Sequence, residues 1–243
     1  AWRQRVAAEP LIPLDVMNNQ VVRFGTVAAG LAMGAFIGLT IYLPLYFETV
    51  MGLSATHSGL GLLPLTCGTV IGATSSGRAM TKLTHYKRVP MVGLMVACAG
   101  AAVLAVFSGR IPLAPFCVIL AVVSVGLGTL LPVATVSIQN AVRPHQLGTA
   151  TAVANFFRQI GGALIVAVFG AIVLGGVGGE TGQLSPEALK LGTVDRETMV
   201  MLFRYVFGAA AFGFALALLS LGLMKELPLR GGAAEAAKAA ALE

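Results

Sequence analysis

Charged residues are scarce in this chain of 243 residues. Asp, Glu, Lys and Arg together make up 11% of it, against about 25% in ordinary soluble domains. Hydrophobic residues make up 57%, and the mean hydropathy is +0.87. A water-soluble globule needs more polar surface than this composition supplies. The composition therefore excludes a soluble domain and predicts a membrane protein.

Aromatic residues and cysteines are also few. Aromatics account for 7% of the chain, while glycine occurs 30 times, and small residues let transmembrane helices approach closely. Cys67, Cys98 and Cys117 lie in apolar runs without a CxxC pair, which argues against a disulfide scaffold. The three histidines are too scattered for a metal site, and no phosphate-binding loop, HExxH or GxSxG motif is present. We therefore expect no metal, no cofactor and no enzymatic activity.

Long charge-free stretches define the predicted architecture. Six stretches of at least 20 residues lie between consecutive charged residues, and about 20 helical residues cross a bilayer core of about 30 Å. The sequence therefore predicts an all-α membrane protein with a six-helix transmembrane bundle over residues 23–226. A cytoplasmic or interfacial lead-in (1–22) precedes it, and a disordered cytoplasmic tail (227–243) follows it. The predicted spans, numbered first to sixth, lie near 24–46, 58–80, 89–107, 113–139, 148–177 and 199–224.

Basic residues are divided unevenly between the two sides of this predicted bundle. Twelve Lys and Arg fall on the side of both termini, and four fall on the other side. Because cytoplasmic loops are enriched in Lys and Arg, both termini are predicted to be cytoplasmic and the loop 178–198 external. The same rule explains the net charge of +6, so we expect a lipid bilayer and no nucleic acid as partner.

The six spans differ in polarity. The third and sixth carry few polar side chains and are predicted to face lipid. The other four are predicted to line an interior, because polar groups in hydrocarbon have to face protein or water. A lipid-facing helix in third place of each trio predicts two three-helix inverted repeats, an arrangement found in secondary transporters.

Two blocks of sequence carry a family resemblance. The first span contains Gly30-x-x-x-Gly34-x-x-x-Gly38 and continues through Tyr42-Leu-Pro44-Leu-Tyr46 towards Pro64 and Gly77-Arg78; the fifth contains Asn155-Phe-Phe-Arg158-Gln159-Ile-Gly161-Gly162. These blocks resemble the seventh, eighth and eleventh core helices of the major facilitator superfamily, and the fourth span resembles the tenth. The closest resemblance is to the fourteen-helix drug:proton antiporter branch. The glycine run predicts close helix packing, with a sliding contact between transporter halves as the alternative.

The resemblance implies one half of a major facilitator fold, the carboxy-terminal one. Its partner would be a missing amino-terminal half of six or eight helices. The implied function is export of small amphipathic drugs or metabolites across the cell membrane by alternating access, with the proton gradient as driving force. Two alternatives stay open: a metabolite uptake facilitator of the same fold, and a half-size homodimeric transporter or pore.

A basic segment follows the second span. Arg78, Lys82, Lys87 and Arg88 are predicted to form a cytoplasmic loop, which resembles the basic loop found after the second helix of each bundle in this superfamily. Thr81 stands where the family motif has Asp. The resemblance therefore does not extend to the acid–base part of the gating latch that the motif implies.

Candidate cavity or gating residues occur in three spans. They are Tyr42, Pro44, Glu48, Thr129, Asn155, Arg158 and Gln159. Pro44 frees a backbone carbonyl and is predicted to bend the first span, as a static kink or as a gating hinge. Glu48 is predicted near the outer headgroups, either as a solvated carboxylate or as a proton or cation site.

Arg158 is predicted well inside the cytoplasmic half of the fifth span, beside Asn155 and Gln159. A guanidinium at that depth needs polar partners. We interpret it as a hydrogen-bond hub near the cytoplasmic gate. A direct role in substrate binding or proton coupling, and simple snorkelling to the interface, are the alternatives.

Overall fold

A computed structural model of the chain describes residues 18–82, 85–181 and 195–227, and omits the side chains of 81–82 and 177–181. Within these ranges lie eight α-helices and a 3-10 turn at Pro144–Gln146. The helices are α1 (Gln20–Thr49), α2 (Ala55–Leu60), α3 (Leu63–Lys82), α4 (Arg88–Phe107), α5 (Leu113–Gly128), α6 (Leu130–Asn140), α7 (Leu147–Thr181) and α8 (Arg196–Leu223). Most of the predicted lead-in, external loop and tail falls outside the described residues.

Five helical stretches of the described residues are long and apolar enough to cross a membrane. They are Gln20–Thr49, Arg88–Phe107, Leu113–Asn140, Pro144–Gly176 and Arg196–Leu223, and they correspond to every predicted span except the second. The prediction of one uninterrupted helix at 58–80 is wrong. The chain instead forms the short helix α2, breaks at Gly61 and Leu62, and resumes as α3.

The composition of α3 explains why it differs from the other spans. It contains six Ser or Thr residues and the two basic residues Arg78 and Lys82. The hydroxyls of Thr69 and Thr74 donate to carbonyls of the preceding turn, at 2.7 Å to Thr66 O and 2.9 Å to Val70 O. The helix satisfies these polar groups internally, yet it remains less apolar than its neighbours.

Helix boundaries differ from the predicted ones where local groups cap the backbone. The helix α1 begins at Gln20, before the predicted position 24, because Asn19 Oδ1 accepts the Val21 N–H at 2.9 Å. The predicted end of the lead-in at residue 22 therefore lies inside α1. The fourth span is broken at Thr129, whose hydroxyl donates to Gly126 O at 2.6 Å, so that α5 and α6 meet there.

The helices associate in defined pairs. Three helix pairs have the most extensive contacts: α1 with α7, α3 with α5, and α4 with α8. Further contacts join α8 to α1, α4 to α5, and α6 to α1. Glycines allow the closest approaches. A Cβ added at Gly161 of α7 would lie 3.1 Å from Gly30 Cα, and one added at Gly72 of α3 would overlap the Val125 carbonyl of α5. Neither pair can accept a larger side chain at these positions without separating.

Aromatic side chains close one end of the bundle, where α1, α5 and α8 meet. Tyr46 is fully buried there, stacks on Phe116 at 5.1 Å, and meets Phe203 and Phe207 edge to face at 5.0 and 5.5 Å. Its hydroxyl accepts the Gly109 N–H at 3.1 Å. This cluster fixes the C-terminal half of α1 against two neighbouring helices.

Apolar side chains exposed on the bundle surface are not confined to the third and sixth spans. The helices α4 and α8 expose many of them, as predicted for lipid-facing helices. However, α7 also exposes Phe156, Ile160, Leu164 and Val168. The fifth span therefore has an exposed apolar face as well as the polar face predicted for it.

Candidate functional site

A small polar pocket lies between α1, α6 and α7. It encloses about 20 Å³, which is room for about one water molecule. Ala29 closes it on α1, Thr135 on α6, and Asn155 and Arg158 on α7. The structure therefore brings two of the predicted site residues to the same pocket.

Arg158 and Asn155 are joined directly. The Arg158 Nη2 donates to Asn155 Oδ1 at 2.6 Å, across one turn of α7. A guanidinium has five N–H donors, and this is its one hydrogen bond within the described part of the chain. The remaining donors of the half-buried Arg158 are free to bind a further acceptor. Gln159 is exposed and does not line the pocket.

A second polar contact joins the same helices. Gln139 Nε2 of α6 donates to Thr151 Oγ1 of α7 at 3.3 Å. Thr151 lies one turn before Asn155 and lines the pocket with it. A run of polar groups therefore follows α7 from Thr151 to Arg158 on the side that faces α6.

Arg158 lies inside the fifth span and not at one of its ends. A Cβ added at Gly30 of α1 would lie 3.7 Å from Arg158 Cα, so the two residues lie at the same level of the bundle. Gly30 is between four and five residues before the midpoint of α1, or about 7 Å along the helix axis. Arg158 therefore lies in the half of the bundle that holds the N-terminal ends of α1 and α7.

Tyr42, Pro44 and Glu48 form a separate group on the C-terminal third of α1. The Tyr42 ring meets Phe169 of α7 edge to face at 6.3 Å. A Cβ at Gly170 would lie 2.7 Å from the Tyr42 hydroxyl, so a larger residue there would displace the end of the Tyr42 side chain. Phe169 is eleven residues from Arg158, about 16 Å along α7. The structure thus brings Tyr42 to α7 but not to the polar pocket.

Pro44 and Glu48, the other two members of this group, are less enclosed than Tyr42. Pro44 is half-buried, and α1 continues through it as one helix to Thr49. Glu48 is exposed in the last turn. Thr129 is buried beside Gly93 of α4 and donates to its own helix, so it lies apart from both groups.

The predicted basic loop is in part helical. Arg78 and Lys82 belong to α3, while Arg88 begins α4. Lys87 Nζ donates to the carbonyls of Gly222, at 2.8 Å, and Met224, at the end of α8. Its backbone N–H donates to Glu226 Oε1 at 3.1 Å. A cation at the carbonyl end of a helix is favourable, so this corner anchors α8.

Partial burial affects the protonation of Lys87. Burial lowers the pKa of its ammonium group below the usual value, and the neighbouring Glu226 carboxylate partly offsets that change. Tyr86, which is fully buried, reinforces the same corner by donating its hydroxyl to Leu227 O at 2.9 Å. Sequence reasoning missed this anchor, because Lys87 and α8 are about 135 residues apart.

Two arginines on the opposite side also make contacts that were not predicted. Arg196 Nε, at the start of α8, donates to Val50 O at the end of α1 at 2.8 Å. Arg204 Nε donates to Ala105 O of α4 at 3.2 Å. The buried Tyr46 cluster was missed as well, although the aromatic residues at 46 and 47 gave a signal for it.

Comparisons with known proteins agree on one family. Residues 2–166 match the profile of the Major Facilitator Superfamily. The multidrug transporter protein MdtP of Bacillus subtilis strain 168 is 24% identical over 171 residues, which cover 69% of this chain and 31% of that protein. The puromycin resistance protein pur8 of Streptomyces alboniger is 27% identical over 205 residues, which cover 82% and 41%.

A fungal relative extends this set. The aspyridones efflux protein of Neocamarosporium betae is 30% identical over 158 residues, which cover 65% of this chain and 28% of that protein. The chain thus spans between 28% and 41% of the length of these three relatives.

Proposed function

The chain belongs to the major facilitator superfamily, and on that premise we propose that it is the carboxy-terminal six-helix bundle of a proton-coupled exporter of amphipathic drugs or metabolites. The family and its transporter-named relatives make it a multi-pass transmembrane transport protein and not an enzyme. Export rests on one observation: relatives from three organisms carry the names multidrug transporter, puromycin resistance protein and efflux protein. The proposed location is the cell membrane, with the described bundle ends at 20 and 223 facing the cytoplasm.

The helix pairs support two inverted three-helix repeats. Such repeats exchange the first span with the fourth, the second with the fifth, and the third with the sixth. Under this exchange, the contact between α1 and α7 corresponds to that between α5 and α3. The contact between α1 and α8 corresponds to that between α5 and α4, and the contact between α4 and α8 corresponds to itself. All of these pairs occur in the bundle.

Exposed polar side chains support a partner bundle. Asn155 and Gln159 are exposed on α7, and Thr66 and Thr74 are exposed on α3. Polar groups at membrane depth have to face protein or water. The proposed repeat relates α7 to α3, so each repeat contributes one helix with exposed polar side chains. We call these exposed polar faces of α7 and α3 the two flanks of the bundle. We assign these flanks to contact with an amino-terminal half of six or eight helices and to the substrate pathway between the halves.

Acidic residues limit where a proton can bind. No Asp or Glu occurs in the sequence between Glu48 and Glu180, or between Glu197 and Glu226. Every carboxylate of the described residues therefore lies at or beyond a helix end. If transport is proton-coupled, the partner half supplies the mid-membrane acid, and Arg158 is the charged group that this chain places inside the apolar stretch Pro144–Gly176.

The test is transport by the full-length protein and by this chain alone. In inverted membrane vesicles, the full-length protein should accumulate an amphipathic cationic dye when the interior is acidified, and a protonophore should abolish the signal. The 243-residue chain alone should give no flux. Gradient-driven uptake into intact cells would instead indicate an uptake facilitator, and saturable flux from the chain alone would indicate a homodimer or pore.

A further inference from the structure

A second cavity lies along the α1–α7 pair. It measures about 340 Å³ and is lined by α1 and α7 alone, whereas α6 contributes to the polar pocket. Val27 and Leu31 line it on α1, and Phe157, Ile160 and Leu164 line it on α7. Val27, Ile160 and Leu164 are exposed by 46, 41 and 63%. This α1–α7 groove is therefore apolar and open at the surface of the bundle.

A buried hydroxyl without a hydrogen-bond partner lines this groove. Thr26 is only 6% exposed, and its Oγ1 makes no hydrogen bond within the described residues. Other membrane threonines of this chain behave differently: Thr40 and Thr135 donate to the carbonyl four residues earlier, at 2.8 and 2.9 Å. A buried polar group left unsatisfied costs about 1–3 kcal/mol. The oxygen is enclosed in the free protein, so an acceptor on a molecule in the groove would remove that cost once the Thr26 side chain turns towards it.

A cation stands at one end of the groove. Arg23 lines it, is exposed, and holds its guanidinium 5.0 Å from the centroid of the Phe24 ring. No carboxylate pairs with it in the described ranges. Arg23 lies about 11 residues before the midpoint of the 30-residue helix α1, or about 17 Å along its axis. Half of a bilayer core is about 15 Å, so the guanidinium reaches headgroup level.

The groove extends from this cation towards the middle of the membrane. Arg23 and Leu31 are eight residues apart, about 12 Å along α1, and the lining of α7 from Val153 to Leu164 covers about 16 Å. These lengths match the depth of one leaflet, about 15 Å. The order along the groove is a cation, then a hydroxyl donor, then apolar side chains, which is complementary to the headgroup, ester and acyl chain of a phospholipid.

We propose that the α1–α7 groove binds one acyl chain of an anionic phospholipid, with its phosphate on Arg23 and an ester oxygen on the Thr26 hydroxyl. In the proposed orientation this lipid belongs to the cytoplasmic leaflet. The site depends on the chain spanning a membrane and not on which substrate the transporter carries.

Native mass spectrometry of the detergent-purified full-length protein tests this site, with phosphatidylglycerol and phosphatidylcholine of identical acyl chains as probes. We expect tighter binding of phosphatidylglycerol, by about fivefold for one basic residue at the membrane surface. Arg23→Gln should remove this preference. The matched control is Lys225→Gln, which removes an exposed cation beyond the end of α8 on the same side of the bundle.

A plug variant tests the acyl-chain part independently. Val27→Trp fills the groove and should leave one phospholipid fewer on the protein. Val122→Trp is the control, since Val122 of α5 is exposed by 45%, almost as much as Val27. Thr26→Val should weaken phosphatidylglycerol binding and yet raise the unfolding temperature of the lipid-free protein, because it removes an unsatisfied hydroxyl.

Two results would overturn the proposal. One is that both Arg23→Gln and Val27→Trp bind as many phospholipids as the unchanged protein, with the same preference for phosphatidylglycerol. The other is dissociation of the transporter halves by Val27→Trp with lipid binding intact, which would make the groove a docking surface for a helix of the partner bundle. These experiments measure lipid binding and not dye export, so their results can be interpreted even if the protein proves not to be an exporter.

Discussion

The α1–α7 contact predicts a large difference between two otherwise similar glycine substitutions. A Cβ added at Gly34 would lie 2.7 Å from Ile165 Cδ1, 2.9 Å from Ile165 Cβ and 3.0 Å from Gly161 O. A Cβ added at Gly213 of α8, which is also buried, would meet no atom within 4 Å. Gly34→Ala therefore forces α1 and α7 apart, and Gly213→Ala fits without movement.

The size of the effect follows from two opposing contributions. Alanine is favoured over glycine inside a helix by about 1 kcal/mol, in both variants. Overpacking at a close contact costs about 1–3 kcal/mol, and only Gly34→Ala incurs it. The free energy of unfolding of Gly34→Ala should therefore fall about 1–3 kcal/mol below that of Gly213→Ala. Gly213→Ala itself should be as stable as the unchanged protein or slightly more stable.

Pulse proteolysis in mixed micelles of a mild detergent and SDS measures the unfolded fraction of each variant. Adding Ile165→Ala to Gly34→Ala should recover part of the loss, because it removes the contact at Cδ1 but leaves those at Cβ and at the Gly161 carbonyl. A double-mutant cycle isolates this coupling from the cost of truncating Ile165. Equal stability of Gly34→Ala and Gly213→Ala would refute the described packing of α1 on α7.

Three further predictions concern charge and topology. Arg158→Ala in the full-length protein should reduce dye export at least fivefold at normal membrane insertion, since it removes the charged hydrogen bond to Asn155 Oδ1, a kind of bond that contributes about 1–3 kcal/mol. Arg158→Lys should recover export only in part because Lys lacks the planar fork, and Arg110→Ala is the control. Lys87→Met should speed hydrogen exchange near Leu221, whereas Lys225→Met should not. Because folding lowers the pKa of Lys87, the free energy of unfolding should rise with pH up to about 10.5. This rise should be absent from the Lys87→Met variant. In a cysteine-free background, an impermeant maleimide should label Thr56→Cys and spare His85→Cys in intact cells, and the reverse pattern would invert the proposed topology.

The positions of the helices could be predicted from the sequence because a bilayer imposes a length. Predicted spans such as 24–46 and 199–224, which are placed from the charge-free stretches, correspond to α1 and α8 within a few residues, since a charge well inside a span is costly. Breaks inside a span leave a weaker signal. The interruption at Gly61 and the one at Thr129 depend on local hydrogen bonds, such as Thr129 Oγ1 to Gly126 O, which hydropathy does not record.

The site could be predicted only in part, for a related reason. Arg158 and Asn155 are three residues apart on one helix, so their contact follows from helical periodicity. The closure of their pocket by Thr135, and the anchoring of α8 by Lys87, join residues far apart in the chain. Which of the 30 glycines face which helix is likewise a tertiary property. None of these contacts has a local sequence signal.

The glycine contacts also bear on which surfaces move during transport. Gly30 and Gly34 are buried against Gly161 and Ile165 of the same bundle, not on a face left for the partner half. We infer that α1 and α7 move as one unit, because side chains interlocked at this distance cannot slide without first separating. The polar pocket and the α1–α7 groove then keep their shapes while the bundle rocks. For the proposed alternating access, we assign the sliding contact instead to the flanks of α3 and α7, where Thr74 and Gln159 are exposed.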